Sequence, residues 1–454
     1  MYIERNIDKE LTEWKDSYNR KPLLLRGARQ VGKSSTVRQL GRTFKHYVEL
    51  NFEKQPELRA LFAQGNNVQE TAARIGSILG VPIVPGETLL FLDEIQSCPE
   101  AIKSLWFFKE DYPELHVVAA GSLLEFALKD LQSFGVGRIR SMFMYPLSFD
   151  EFLHAIGKDT WIEEKRQAGS DKPLIDALHQ RLMQEFRTFL MVGGMPASVV
   201  AWTQTHDYAQ CAMEQEDIQQ TYYDDFAKYA PRISPQLLRN TLQSVVMQIG
   251  SKFVYSRVEG GYRVDDIKRA LNMLCDAGII KEVRHTAANG LPLGAQTNNK
   301  FRKFIYLDSG LMLRIQALDF GGAQQVVQQI LGDTAEELVN KGSITEMVAG
   351  WELVKALSSR TSHELFYWQD LGDGTISEVD YIAVHDGKIL PIEVKAGTSG
   401  KMKNLHLFMQ KKDISRAIRT SLENFGVITL NDNDHDRRIE IVPLYALSSV
   451  CWQR

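Results

Sequence analysis

The sequence predicts an α/β protein whose amino-terminal third is built on a parallel sheet. Three observations predict it. Short apolar runs at Leu23–Leu25, Tyr47–Phe52, Leu89–Leu92, Val117–Ala120 and Met142–Tyr145 are each bounded by polar or turn residues. Stretches of helical length separate most of them, and strands alternating with helices pair in parallel. A glycine-bearing turn, Gly27 to Ser34, stands between the first run and the first helical stretch.

At roughly 150 residues per domain, a chain of this length suggests about three domains. Apolar residues make up 44% and charged residues 24%, which excludes a disordered or fibrous chain. Lys and Arg number 53 against 57 Asp and Glu, so the molecule is no polycation and any nucleic-acid surface must be local. Met1-Tyr2-Ile3-Glu4-Arg5-Asn6 lacks the apolar core of a signal peptide. No apolar run approaches the ~18 residues of a membrane span. Phe189 to Val200 comes nearest and is broken by Gly193, Gly194 and Pro196. Cys98, Cys211, Cys275 and Cys451 are scattered without a paired spacing, so neither a disulfide framework nor a zinc site is expected. The expected compartment is the cytoplasm, with no membrane partner.

Residues 1–150 form the predicted sheet domain. Residues 151–226 have helical periodicity, punctuated by Gly193-Gly194-Met195-Pro196, and read as a helical lid. Residues 227–315 change character. Helices are predicted at Pro235–Gln248 and Val264–Ala277, the second with Asp265 and Asp266 in its first turn and Gly278 just past its end. Strands at Ile279–His285 and Phe301–Leu307 follow, flanking a loop rich in Asn, Gly and Pro. Helix, helix, β-ribbon is the order of a winged helix. Residues 316–454 return to α/β, with a helical run from Ile344 to Leu357, a hairpin around Asp386-Gly387 and a closing strand near Arg438–Leu444.

The turn Gly27-Ala28-Arg29-Gln30-Val31-Gly32-Lys33-Ser34 fits GxxxxGK[ST] in the strand–loop–helix setting that a phosphate-binding loop requires. Glycines let the backbone wrap closely and aim N–H groups at phosphate oxygens. The following helix adds its positive end. Lys33 is placed to reach the β- and γ-phosphates and Ser34 to ligate Mg2+; Ser35 completes the candidate binding stretch. Further on, Leu89-Leu90-Phe91-Leu92 runs into Asp93-Glu94. Asp93 at a strand's C-terminal end suits Mg2+, and Glu94 suits a general base that polarises water. Val117–Ala120 ends in Gly121-Ser122, where Ser122 can orient water or the γ-phosphate. Arg138, in Gly137-Arg138-Ile139-Arg140, is either an arginine finger acting on a neighbouring site, which would make the chain a homo-oligomer, or a surface ion pair.

Together these motifs resemble the AAA-like P-loop ATPases. They are most similar to a prokaryotic branch with Gly-x-x-Gln-Val-Gly-Lys in the loop and Asp-Glu-Ile-Gln after the strand, here Gly27–Lys33 and Asp93-Glu94-Ile95-Gln96. The resemblance continues through Gly121-Ser122, Gly137-Arg138 and Pro146-Leu147-Ser148-Phe149-Asp150-Glu151-Phe152. It implies ATP and Mg2+ as cofactors and a loop strand beside the strand ending at Ser122. It also implies a C-terminal domain similar to restriction endonucleases.

The hairpin around Asp386-Gly387 places Asp380 opposite Glu393 and Glu378 opposite Lys395. Asp380, Glu393 and Lys395 then share one face. Both faces of these strands are apolar, so they read as interior strands. Two acids at cross-strand distance repel and need a cation, which Lys395 or a divalent metal would supply. Asp…Glu-x-Lys is the signature of PD-(D/E)xK nucleases. That resemblance implies Asp380 and Glu393 as Mg2+ ligands, Lys395 as the residue that positions or deprotonates water, and Glu346 as a further ligand. The stretch here reads Thr345-Glu346-Met347, where relatives have Glu-Asn. The other reading is a buried ion-pair network, or a nuclease fold kept only for binding.

Residues 226–315 hold 14 Lys and Arg against 6 Asp and Glu, a local surplus of eight that leaves the rest of the chain at −12. That asymmetry has the form of a DNA footprint, with Lys268 and Arg269 on the candidate recognition helix and Lys300, Arg302 and Lys303 near the wing. The plainer reading is a basic module packed on an acidic one. The functional expectation is therefore an ATP-hydrolysing protein that binds or acts on DNA, with a nucleotide-gated binding switch as the alternative.

Overall fold

The computed structural model describes the chain except at residues 64–66, 123, 131–136, 229–231, 317–321, 323–324, 326–340, 372–375, 396–401, 433–434 and 452–454. The chain divides into two compact units.

The first comprises Met1–Pro146, Asp276–Gly278 and Ser358–Ser362. Its elements are α1 (Asn6–Asp16), β1 (Leu23–Arg26), α2 (Lys33–Gly41), β2 (His46–Asn51), α3 (Val68–Leu79), β3 (Thr88–Asp93), α4 (Pro99–Asp111), β4 (His116–Ala120), α5 (Leu124–Asp130) and β5 (Arg140–Phe143). The five strands form one parallel sheet in the order β2-β3-β4-β1-β5. β1, β3 and β4 are buried along almost their whole length, as strands covered on both faces must be. Leu24, Leu50, Leu90, Leu92 and Ala119 pack against Ile75, Ile102, Leu105 and Phe108 of α3 and α4. All five predicted strands are found within a residue or two, and the loop strand lies beside the strand that leads to Ser122, as the resemblance implied.

The second unit comprises Leu147–Cys275, Ile279–Leu357 and His363–Arg454. It begins with α6 (Phe149–Ala155), α7 (Asp159–Gln167), α8 (Asp176–Val192), α9 (Pro196–Thr205), α10 (Tyr208–Lys228), α11 (Pro235–Met247) and α12 (Val264–Asp276). Next come β6 (Ile280–Thr286), β7 (Thr297–Tyr306), α13 (Ser309–Ile315), α14 (Lys341–Lys355), β8 (Leu365–Leu371), β9 (Ile376–His385) and β10 (Lys388–Glu393). The unit closes with α15 (Lys403–Lys411), β11 (Arg416–Ser421), β12 (Gly426–Asp432), β13 (His435–Pro443) and α16 (Leu447–Cys451). The predicted helices and ribbon of residues 227–315 are present, and Gly278 takes the positive φ of 72° that a helix-ending glycine adopts.

The ribbon, however, is not a free wing. β6 pairs in parallel with β8, so β6 and β7 extend the C-terminal sheet to eight strands in the order β12-β13-β11-β10-β9-β8-β6-β7. The hairpin has the expected register, with Lys388 opposite His385 and Ile392 opposite Tyr381, and both of its strands are interior to the sheet. Among the described residues, no helix is long and apolar enough to cross a membrane.

Candidate active site

In a parallel sheet the loops at the carboxyl ends of adjacent strands converge. The order β3-β4-β1 therefore brings Asp93, Ser122 and the glycine turn to one place. Gly27 opens the turn because nothing larger fits: a Cβ there would stand 2.1 Å from the Met144 carbonyl oxygen, at a φ of 145°. Gly32 closes it at a φ of 102° and leads directly into α2.

Lys33 is buried, and its ammonium donates to the carbonyls of Gly27 and Ala28 at 2.9 and 2.6 Å. Burial lowers its pKa to about 8, against the upward pull of Glu94 and Asp93. Ser34 Oγ lies 3.0 and 3.1 Å from the two carboxylate oxygens of Asp93. Asp93 is 4% exposed, and burial raises its pKa despite the Ser34 hydrogen bond. Glu94 follows in a left-handed conformation at a φ of 50° and accepts from Gln96 Nε2 at 2.6 Å. Ser122 Oγ lies 3.5 Å from Glu94 Oε2, and Arg29 Nε donates to Ser122 at 3.2 Å. Ser35 is exposed on the first turn of α2.

Three contributors went unread in the sequence. Asn51 Nδ2 donates to Asp93 at 3.0 Å from the end of β2. Arg38 lies 4.0 Å from Asp93 while pairing with Glu49 at 2.7 Å. Gln96 steadies Glu94. A polar residue ending an apolar strand was the available signal for Asn51, and the Asp-Glu-Ile-Gln motif already held Gln96. Arg138 is not drawn to this cluster: it pairs with Glu110 at 2.6 Å and lies over the Trp106 ring at 5.0 Å.

The Ser34 hydroxyl and Asp93 carboxylate are hard oxygen donors already in contact. They suit Mg2+, which takes one or two protein oxygens and fills its shell with water and phosphate.

The C-terminal acids are arranged differently. Lys303, from β7, is 1% exposed; its ammonium contacts Glu346 at 3.1 Å and also pairs with Glu378. Lys395 pairs with Glu393, and Asp380 accepts the Val394 N–H at 2.7 Å. Among the described residues, Glu393 Oε2 is buried without a hydrogen-bond partner. Burial raises the pKa of both Glu346 and Glu393 toward about 7. Among the described residues, no group of three or more His, Cys, Asp or Glu side chains is arranged to hold a metal ion. Two of the acids expected to bind Mg2+ here stand beside lysines, Glu346 beside Lys303 and Glu393 beside Lys395.

The basic surplus is also smaller in space than in sequence. Lys303 is buried, contrary to its expected place on the surface of a wing. Arg302 pairs with Glu282 at 2.6 Å, Arg284 with Glu364 at 2.6 Å, Lys268 with Asp265 at 3.2 Å, and Arg269 with Asp266. Lys252 and Lys300 stay exposed, and Lys252 lies over the Phe301 ring at 4.3 Å.

Residues 19–153 match a family described as an AAA domain. Residues 183–321 and 341–447 match two families each described as a domain of unknown function, DUF8612 and DUF4143. No curated protein matches the chain. Similar solved structures include a Walker-type ATPase of Pyrococcus abyssi, at 15% identity over 69% of this chain and 96% of that one, with a TM-score of 0.45. Another is the Orc1 protein of Aeropyrum pernix in complex with DNA, at 12% identity over 71% of this chain and 95% of that one, with a TM-score of 0.28. With the glycine turn, the strand-end acids and the parallel sheet beside the family match, the amino-terminal segment of this chain is an AAA-like P-loop ATPase domain.

Proposed function

We propose that the chain is a Mg2+-ATP-dependent ATPase that binds DNA and does not cut it. The contact of Ser34 with Asp93, set beside Lys33, carries the first half of this reading. Backbone amides of the turn and the Lys33 ammonium hold the phosphates, and Ser34 and Asp93 hold Mg2+. When bound, that ion neutralises charge on the β- and γ-phosphates. Glu94 accepts the proton of the attacking water, with Gln96 and Ser122 orienting its carboxylate. The ammonium groups of Lys303 beside Glu346 and of Lys395 beside Glu393 support the second half, because they supply from within the charge that a nuclease takes from a metal. The exposed Lys252 and Lys300 offer phosphate contacts, and Phe301, beneath Lys252, offers a ring. Nucleotide turnover would then gate binding.

The test incubates the full chain with single- and double-stranded DNA in Mg2+ or Mn2+, with and without ATP, at several salt concentrations. Salt-sensitive binding without cleavage, weakened by Lys252→Glu with Lys300→Glu, is expected. Cleavage that disappears in Asp380→Ala would restore the nuclease reading. Absence of DNA binding at moderate salt would point to a protein partner.

A further inference from the structure

Arg5 lies outside every motif of the nucleotide site, yet it is 7% exposed, immediately before α1. Its Nη1 donates to the Val31 carbonyl at 3.0 Å and its Nη2 to the Tyr145 carbonyl at 2.7 Å. Val31 precedes Gly32 at the close of the phosphate loop. Tyr145 follows Met144, whose carbonyl crowds Gly27 at the loop's opening. One guanidinium thus spans the end of the loop and the chain packed against its start. A second tie joins the same elements: the Tyr2 hydroxyl donates to Asp8 at 2.7 Å and lies 3.2 Å from Thr36 Oγ1 on α2. Asp8 in turn accepts the Arg5 backbone N–H at 2.8 Å.

We infer that Arg5 is a positioning residue for phosphate binding, which holds the Val31 carbonyl so that the Gly32 N–H faces the phosphate side of the loop. The inference rests on the nucleotide reading above. A trans peptide is planar, so its C=O and N–H point in opposite directions. With the Val31 carbonyl drawn toward Arg5, the Gly32 amide faces away from it. Glycine is permissive at the φ of 102° found here, so the Val31–Gly32 plane has little intrinsic resistance to rotation. Rotated, it would present an oxygen to the phosphates in place of a donor. Arginine suits the task because its planar fork serves two carbonyls at once and keeps its charge at any working pH.

The experiment compares the full chain with Arg5→Met and Arg5→Lys. It measures binding of a fluorescent ATP analogue with Mg2+, steady-state KM and kcat, and nucleotide-free melting. Arg5→Met is expected to raise Kd and KM about tenfold, the equivalent of one hydrogen bond, with kcat within about threefold. Arg5→Lys, whose single ammonium replaces the fork, is expected to fall between Arg5→Met and the parent. If Arg5→Met does not fold, the Arg5→Lys values decide alone. Unchanged Kd and KM, or a fall confined to kcat, overturns the inference. A parent that binds no ATP overturns the nucleotide reading and this inference together; a parent that binds while folded variants bind equally well overturns this inference alone.

Discussion

Ser34 Oγ sits 3.0 Å from Asp93 Oδ1, although 59 residues separate them in the chain. The sheet makes this contact, because β3 and β1 flank β4 and present their carboxyl ends side by side. Beside it the Lys33 ammonium is held by carbonyls of its own loop. Lys33→Ala should therefore weaken ATP binding about hundredfold or more, the loss of about 3 kcal/mol of charge-assisted hydrogen bonding. Titration with a fluorescent nucleotide measures it. Parent-like affinity in this variant would end the ATPase reading.

Nucleotide affinity should also fall with rising pH. Burial lowers the Lys33 pKa to about 8, so the free protein loses that proton above this pH. Bound phosphate favours the charged ammonium, so binding above pH 8 requires proton uptake. Affinity is then highest below pH 8 and declines toward about tenfold per pH unit above it. The last phosphate ionisation, at a pKa of about 6, lies below this window. Lys33→Arg, charged throughout, should bind with a flat profile from pH 7.5 to 9.5. A parent profile equally flat would contradict the lowered pKa.

Glu94→Gln should leave nucleotide binding within about threefold and lower kcat by about 10² to 10⁴, the range for a positioned general base. Glutamine keeps the size of the side chain and loses only its proton affinity. Initial-rate phosphate release beside equilibrium binding separates the two effects. Wild-type turnover in Glu94→Gln would move the base elsewhere.

The sequence was most legible where chemistry is local. The glycine turn, Asp93-Glu94 and the hairpin register all follow from residues close along the chain, where strand period and turn type leave little freedom. Lys303 was misread because its role depends on β6 joining β8, a pairing between segments about 80 residues apart that no local pattern specifies. The same pairing brings Glu364, outside residues 226–315, against Arg284, which the basic count could not include. Glu282, by contrast, meets Arg302 across the β6–β7 ribbon itself. Asn51 is an ordinary residue type, and only the strand order shows that its amide touches Asp93, whereas Gln96 reaches Glu94 within its own turn.

Lys303 should be the most sensitive single position of the second unit. It is buried between Glu346 and Glu378. Lys303→Met removes the cation and leaves the buried Glu346 carboxylate facing the partly buried Glu378, a loss of up to about 3–5 kcal/mol by analogy with other broken buried ion pairs. Adding Glu346→Gln and Glu378→Gln removes the stranded charge and should recover much of that loss. Denaturant midpoints of the single and triple variants test both statements. An unchanged midpoint in Lys303→Met would mean that the pair contributes nothing to folding.

The stability of the second unit should fall as pH rises through neutrality. Burial first, and the charge of Asp380 next, raise the Glu393 pKa from 4.5 toward about 7, against the pull of Lys395. Between those values the folded chain keeps a proton that the unfolded chain has released. The resulting stabilisation is complete below pH about 4.5 and is lost as pH rises through about 7, at up to about 1.4 kcal/mol per pH unit for one proton. Glu346 is shifted in the same direction and should steepen the decline. Glu393→Gln mimics the neutral carboxyl, so unfolding curves from pH 5 to 8 should show a slope reduced by about one proton. The variant should be relatively more stable at pH 8 than at pH 5. Parallel parent and variant curves over that range would show that Glu393 is already ionised at pH 5 and that Lys395, not burial, sets its charge.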